Sequence, residues 1–83
     1  MAHVLIVEGE PLNLELAVKL VEMEGHNVIQ AITGEEALAK VKESNFDLIL
    51  LDIMLPGING LEVLAKLQED HATADIPVIA VTA

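Results

Sequence analysis

The chain has 83 residues, 14 acidic side chains against four lysines, no cysteine, and a formal net charge of −10. That balance disfavours nucleic acid and anionic membranes, whose phosphates need cations to neutralise them. The lack of cysteine excludes a disulfide framework and any thiolate metal site.

No apolar run reaches the roughly 18 residues of a membrane span, and residues 1–20 lack the basic start and apolar block of a secretory leader. A soluble, cytoplasmic protein is expected. The length predicts one small domain, residues 1–83, burying roughly 60% of its unfolded surface. Phe46 is the sole aromatic residue, so the core has to be aliphatic.

Taken in order, His3 to Val7 is an apolar run of strand length. It ends at Glu8-Gly9-Glu10, and Pro11 then stands where a helix tolerates proline. Leu12 to Glu24 follows a helical period. Leu14, Ala17, Val18 and Val21 share one face, and Glu15, Lys19 and Glu22 another. Leu12, Leu16, Leu20 and Met23 widen the apolar surface, so this helix is expected to be covered on more than one side. Gly25 is its expected stop.

Asn27 to Ile32 is the second expected strand. Thr33 and Glu36 have capping-box spacing at the start of a short helix. The third strand is read from Asp47 to Leu51, a continuous aliphatic stretch of the kind buried on both faces. It stops at Asp52. Pro56-Gly57 marks a turn, and Asn59 with Glu62 repeats the capping-box spacing before a third helix. After a polar loop from Glu69 to Asp75, Pro77 opens a fourth strand, Val78 to Val81. His3, His26 and His71 have no ligand spacing and are expected in solvent.

The order β-α-β-α-β-α-β predicts a parallel three-layer α/β sheet with right-handed crossovers. In such sheets chemistry collects at the carboxyl ends of the strands. Glu8, Glu10 and Asp52 fall there and are expected to converge. Converging carboxylates repel unless a proton or cation intervenes, and Mg²⁺ suits carboxylates acting together with a phosphate. Thr82 ends the fourth strand at the same edge. A carboxylate beside Mg²⁺ and a hydroxyl donor is equipped to attack a phosphoryl group.

Three stretches in the right order, VLIVEGEPLN from Val4, DLILLDIMLPGINGLEV from Asp47 and IPVIAVTA from Ile76, resemble the receiver domain of two-component response regulators. The resemblance covers the whole chain. It implies the CheY-like, flavodoxin-like strand order 2-1-3-4. It also implies a non-enzymatic signalling module charged by a histidine kinase or phosphotransfer protein. Asp52 is then the phosphoacceptor, Glu8 the first of two metal-site acids, and Thr82 the phosphoryl-sensing hydroxyl. The backbone carbonyl of Met54 is a metal ligand, and Pro56 and Gly60 match the loop and helix start after the acceptor.

Two departures follow from the same comparison. Gly9 stands where the family carries its second acid, with Glu10 as a weak substitute, so Mg²⁺ binding is expected to be weak or absent. The family also continues through a further helix, strand and helix with a pairing lysine, so the resemblance implies a receiver truncated after its fourth strand. Such a chain is expected to form a homodimer or higher oligomer through the fourth strand and first helix. The competing reading is a degenerate, unphosphorylated protein-interaction module. A haloacid-dehalogenase-type phosphatase is disfavoured, because its second aspartate would fall at Met54.

Overall fold

The structure, a computed structural model, describes residues 1–81. Seven elements alternate: β1 (His3–Val7), α1 (Pro11–Met23), β2 (Asn27–Ala31), α2 (Gly34–Glu43), β3 (Leu48–Asp52), α3 (Gly60–Glu69) and β4 (Val78–Val81). The four strands form one parallel sheet in the order β2-β1-β3-β4. Both the alternation and the strand order agree with the expectation from sequence.

The pleat sorts the aliphatic runs between two cores, because successive strand residues point to opposite faces. Leu5 and Val7 of β1 join Ile49 and Leu51 of β3, with Phe46, Ala37, Val63 and Leu67, in a core beneath α2 and α3. Val4 and Ile6 point the other way, onto Leu14 and Val18 of α1. Each fully buried aliphatic side chain, such as Leu5 or Ile49, contributes about 1.5–3 kcal/mol relative to exposure.

Polar side chains fix the helix starts. Asn59 and Glu62 form a complete capping box on α3: the Glu62 amide donates to Asn59 Oδ1 at 3.0 Å, and the Asn59 amide to Glu62 Oε1 at 3.4 Å. On α2 the box is offset. Thr33 Oγ1 accepts from the Glu36 amide at 3.0 Å, but the Glu36 carboxylate reaches one residue further back, to the Ile32 amide at 3.0 Å. That contact takes Ile32 out of β2, which ends at Ala31 rather than at Ile32.

Boundaries elsewhere shift by one residue. The first helix runs from Pro11 to Met23 rather than Leu12 to Glu24, and Gly25 lies just beyond it with φ +88°. The third strand begins at Leu48 and includes Asp52, which pairs with Val81. Asp47 stays outside, where its carboxylate accepts from the His3 amide at 2.8 Å.

Two histidines do more than expected. His3 is partly buried, its ring 4.7 Å from that of Phe46 and its Nδ1 2.8 Å from the Asn45 carbonyl oxygen. His26 Nδ1 accepts from the Ala2 amide at 2.9 Å. Of the three histidines, only His71 is exposed.

Candidate functional site

The carboxyl ends of β1 and β3 lie side by side, with Val7 paired to Leu51. Glu8 leaves β1 directly after that pair, and Asp52 ends β3. Both line a pocket of about 200 Å³ whose other walls include Ile6 and Leu50 from the sheet, Asn13 and Ala17 from α1, and Val81 from β4. Asp52 is only 9% exposed. The Met54 amide donates to Asp52 Oδ1 at 3.0 Å, an Asx-type contact that turns the chain out of the strand and satisfies that oxygen.

Partial burial pushes the Glu8 carboxyl above the ordinary carboxylate range. The Glu10 amide, which donates to Glu8 Oε1 at 3.0 Å, opposes the rise. The neighbouring Asp52 carboxylate adds to it, both by its charge and by a shared hydrogen bond, and the Glu10 carboxylate adds a smaller like-charge contribution. Glu8 and Asp52 are therefore the two acids that the fold brings together.

Glu10 does not join them. It is the N-cap of α1, its Oε2 accepting from the Asn13 amide at 2.8 Å, and its charge suits the positive end of the helix dipole. The expected convergence of three carboxylates is thus reduced to two, and among the described residues no group of three acidic or histidine side chains is arranged to hold a metal ion. Sequence spacing left both readings open, because an acid just before a helix start suits either a metal site or the helix dipole, and glutamate is an uncommon cap. Thr82 lies outside the described residues. Among the described residues no lysine lines the pocket; Lys19 sits on α1, Lys40 and Lys42 on α2, and Lys66 on α3.

The loop after Asp52 is held at several points. The Ile53 amide donates to the Val81 carbonyl at 3.1 Å, and the Ile53 carbonyl accepts from the Gly60 amide at 2.9 Å. Leu55 is buried in the larger core, and Ile58 packs against it. Gly60 lets α3 approach the strand end: a Cβ there would lie 2.5 Å from both the Asp52 carbonyl oxygen and the Ile53 Cα. Gly57, with φ +75°, makes the turn that Pro56 begins.

One buried polar group had no signal in the sequence reading. The Thr73 hydroxyl donates to the Leu67 carbonyl at 2.7 Å, closing the end of α3 in what was expected to be only a polar loop.

A four-stranded doubly wound sheet with a carboxylate pair at its switch point defines a class of ligand-binding α/β folds. Comparison narrows it. The family model of the response regulator receiver domain matches residues 4–83, and the chain belongs to that family. The polar-differentiation response regulator DivK of Brucella ovis is 48% identical over 80 residues, which is 96% of this chain and 65% of DivK. The chain thus spans slightly less than two thirds of the length of that relative.

Solved structures agree. The N-terminal domain of a response regulator receiver protein from Methanoculleus marisnigri superposes with a TM-score of 0.96 at 37% identity, over all of this chain and 68% of that one. The response regulator TrrA of Thermotoga maritima, determined in complex with Mg²⁺ and beryllofluoride, gives 0.93 at 40% identity over all of this chain and 70% of its own.

Proposed function

We propose that residues 1–83 act as a receiver unit whose phosphoacceptor is Asp52, charged by a histidine kinase or a phosphotransfer protein in the cytoplasm. The observation that carries this reading is the placement of Asp52. In a chain of the receiver family, it is a nearly buried carboxylate at the switch point, lining one pocket together with Glu8. With Oδ1 held by the Met54 amide, the other carboxylate oxygen is left to attack. It forms a bond to the phosphorus of an N-phosphorylated histidine as the P–N bond breaks. The departing imidazole nitrogen takes the electron pair, and an acyl phosphate remains on Asp52.

Mg²⁺ fits the donor set, which consists of hard oxygens: the Asp52 and Glu8 carboxylates and, by its place in the motif, the Met54 backbone carbonyl. Mg²⁺ is commonly held by one or two carboxylates and takes its remaining ligands from water and phosphate. When bound, it would neutralise charge on the phosphoryl oxygens. The affinity is weak in this reading, because Gly9 brings no carboxylate and Glu10 is engaged at α1. TrrA, a relative with Mg²⁺ and beryllofluoride bound, supports the same chemistry in the family. Thr82, next after Val81, is assigned the phosphoryl-sensing hydroxyl by resemblance.

The unit is a signalling module rather than an enzyme, and we propose that it self-associates through α1 and β4. Leu12, Leu16, Leu20 and Met23 form an exposed apolar stripe on α1, and Ile79 and Val81 are exposed on β4. No helix of the described residues is long and apolar enough to cross a membrane.

A second reading, an unphosphorylated interaction module, draws on one observation: only two of the three expected acids come together. Treatment with acetyl phosphate and Mg²⁺ followed by intact mass measurement separates the two. One added phosphoryl group is expected on the wild-type chain and on Asp47→Asn, and none on Asp52→Asn. No labelling of the wild type would favour the interaction module, and labelling of Asp52→Asn would remove Asp52 as the acceptor.

A further inference from the structure

The pocket beside Asp52 is rich in acceptors and poor in donors. Its walls are aliphatic apart from the side chains of Glu8, Asp52 and Asn13. The two carboxylates, when ionised, only accept hydrogen bonds. Among the described residues, Asn13 is therefore the side chain lining the pocket that brings an N–H donor to it.

The first turn of α1 places it there. Asn13 is the third residue of the helix, and helix side chains lean back toward the N-terminus, here toward the loop that carries Glu8. Ala17, one turn further on and on the same face, also lines the pocket, and its small side chain takes up little of the space.

The fold itself makes no visible use of this side chain. The cap of α1 engages only the Asn13 backbone amide, which donates to Glu10 Oε2 at 2.8 Å. The side chain is exposed and, among the described residues, bonded to no other protein group. Asparagine is also a weaker helix former than alanine, so helix stability gives no reason for it at this position.

A phosphoryl group on Asp52 would bring anionic oxygens into a pocket that already holds the Glu8 carboxylate. Like charges in one site repel, and a fixed donor aimed at such charge lowers the cost. We propose that Asn13 is a phosphoryl-binding residue, whose Nδ2–H donates to a phosphoryl oxygen of the acyl phosphate on Asp52. The inference rests on the receiver reading of Asp52 and adds to it the group that meets the phosphoryl oxygens from the side of α1.

Beryllofluoride binding in Mg²⁺ tests it on the full chain, in wild type, Asn13→Ala and Asn13→Asp. The last variant keeps the shape and replaces the donor with an acceptor. Both variants should weaken beryllofluoride binding about tenfold, the lower end of what a hydrogen bond to a charged group contributes. In the wild type the side-chain amide protons of Asn13 should shift on binding, and those of Asn27, at the start of β2, should not. Mg²⁺ affinity without beryllofluoride should be unchanged in Asn13→Ala, and its urea denaturation midpoint should lie at or above that of the wild type.

If wild type and Asn13→Ala bind beryllofluoride equally well, Asn13 has no part in the site, and the proposal is overturned while the receiver reading stands. An equal loss of affinity for Mg²⁺ alone would make Asn13 a metal-site residue through its carbonyl oxygen. A lowered urea midpoint would make its amide part of the fold. Either result overturns the donor role. If the wild type itself binds no beryllofluoride, the receiver reading fails, and the role of Asn13 fails with it.

Discussion

Two acids two positions apart in the sequence take different tasks. Glu8 neighbours Asp52 and is raised by burial, whereas Glu10 caps the first turn of α1 and adds only like charge beside Glu8. The difference follows from where β1 ends: Val7 is the last paired residue, so Glu8 stays at the strand end while Glu10 already precedes a helix. Glu10→Ala should cost about 0.5–1 kcal/mol by removing a cap and a favourable charge–dipole contact, and Glu10→Gln, which keeps the accepting oxygen, should cost less. Mg²⁺ affinity should be the same in both variants and in the wild type. Urea denaturation and calorimetry check the two halves, and a loss of Mg²⁺ affinity in Glu10→Gln would return Glu10 to the metal site. Asp52 was legible in the sequence because a buried aliphatic strand stops at it. For Glu10 the sequence left a metal-site acid and a helix-terminus acid both open, since spacing places a residue near a site without saying where its side chain turns. The same limit applied to His3 and His26, whose hydrogen bonds join residues more than 20 positions apart.

At the scale of elements, the strands and helices were legible because each carries its own signal. Four short aliphatic runs alternate with helical periods, and Asn59 with Glu62 forms the capping box that its spacing predicts. The misses lie at ends, where a contact from outside the element decides. Ile32 leaves β2 because Glu36 takes its amide, and Asp52 joins β3 because β4 supplies Val81 as a partner. The close approaches that seat the β3–α3 loop were also hidden, since a glycine at ordinary φ gives no sign of what presses against it. Gly60 is the clearest case. Its missing side chain lets α3 start against the backbone of Asp52 and Ile53, which positions the loop that carries Met54. Gly60→Ala should therefore cost about 1–3 kcal/mol, as overpacked sites do, despite the better helix propensity of alanine. A denaturation midpoint at or above that of the wild type would show that the approach is not tight.

At the scale of the whole molecule, the two faces of the sheet differ in cover. Among the described residues, the face under α2 and α3 holds the larger core, whereas the other is covered by α1. On that side Leu16 is 54% exposed, Leu20 64% and Met23 79%, and Val81 on β4 is 47% exposed. In the proposed self-association these side chains form the contact, and an edge strand with no charged side chain favours pairing. Light scattering at micromolar concentration should report a dimer or larger species, and Leu16→Glu with Leu20→Glu should shift it to monomer. A compact wild-type monomer that binds no hydrophobic dye would contradict the self-association. Beryllofluoride probes the phosphoacceptor role of Asp52 most directly, because it mimics a phosphoryl group on a carboxylate without requiring a donor or a turnover. Titration with beryllofluoride in Mg²⁺, followed by amide NMR, should give saturable shifts at Glu8, Asp52 and Met54 in the wild type and none in Asp52→Asn. Shifts that persist in Asp52→Asn, or a wild-type spectrum unmoved at saturating Mg²⁺ and beryllofluoride, would contradict it.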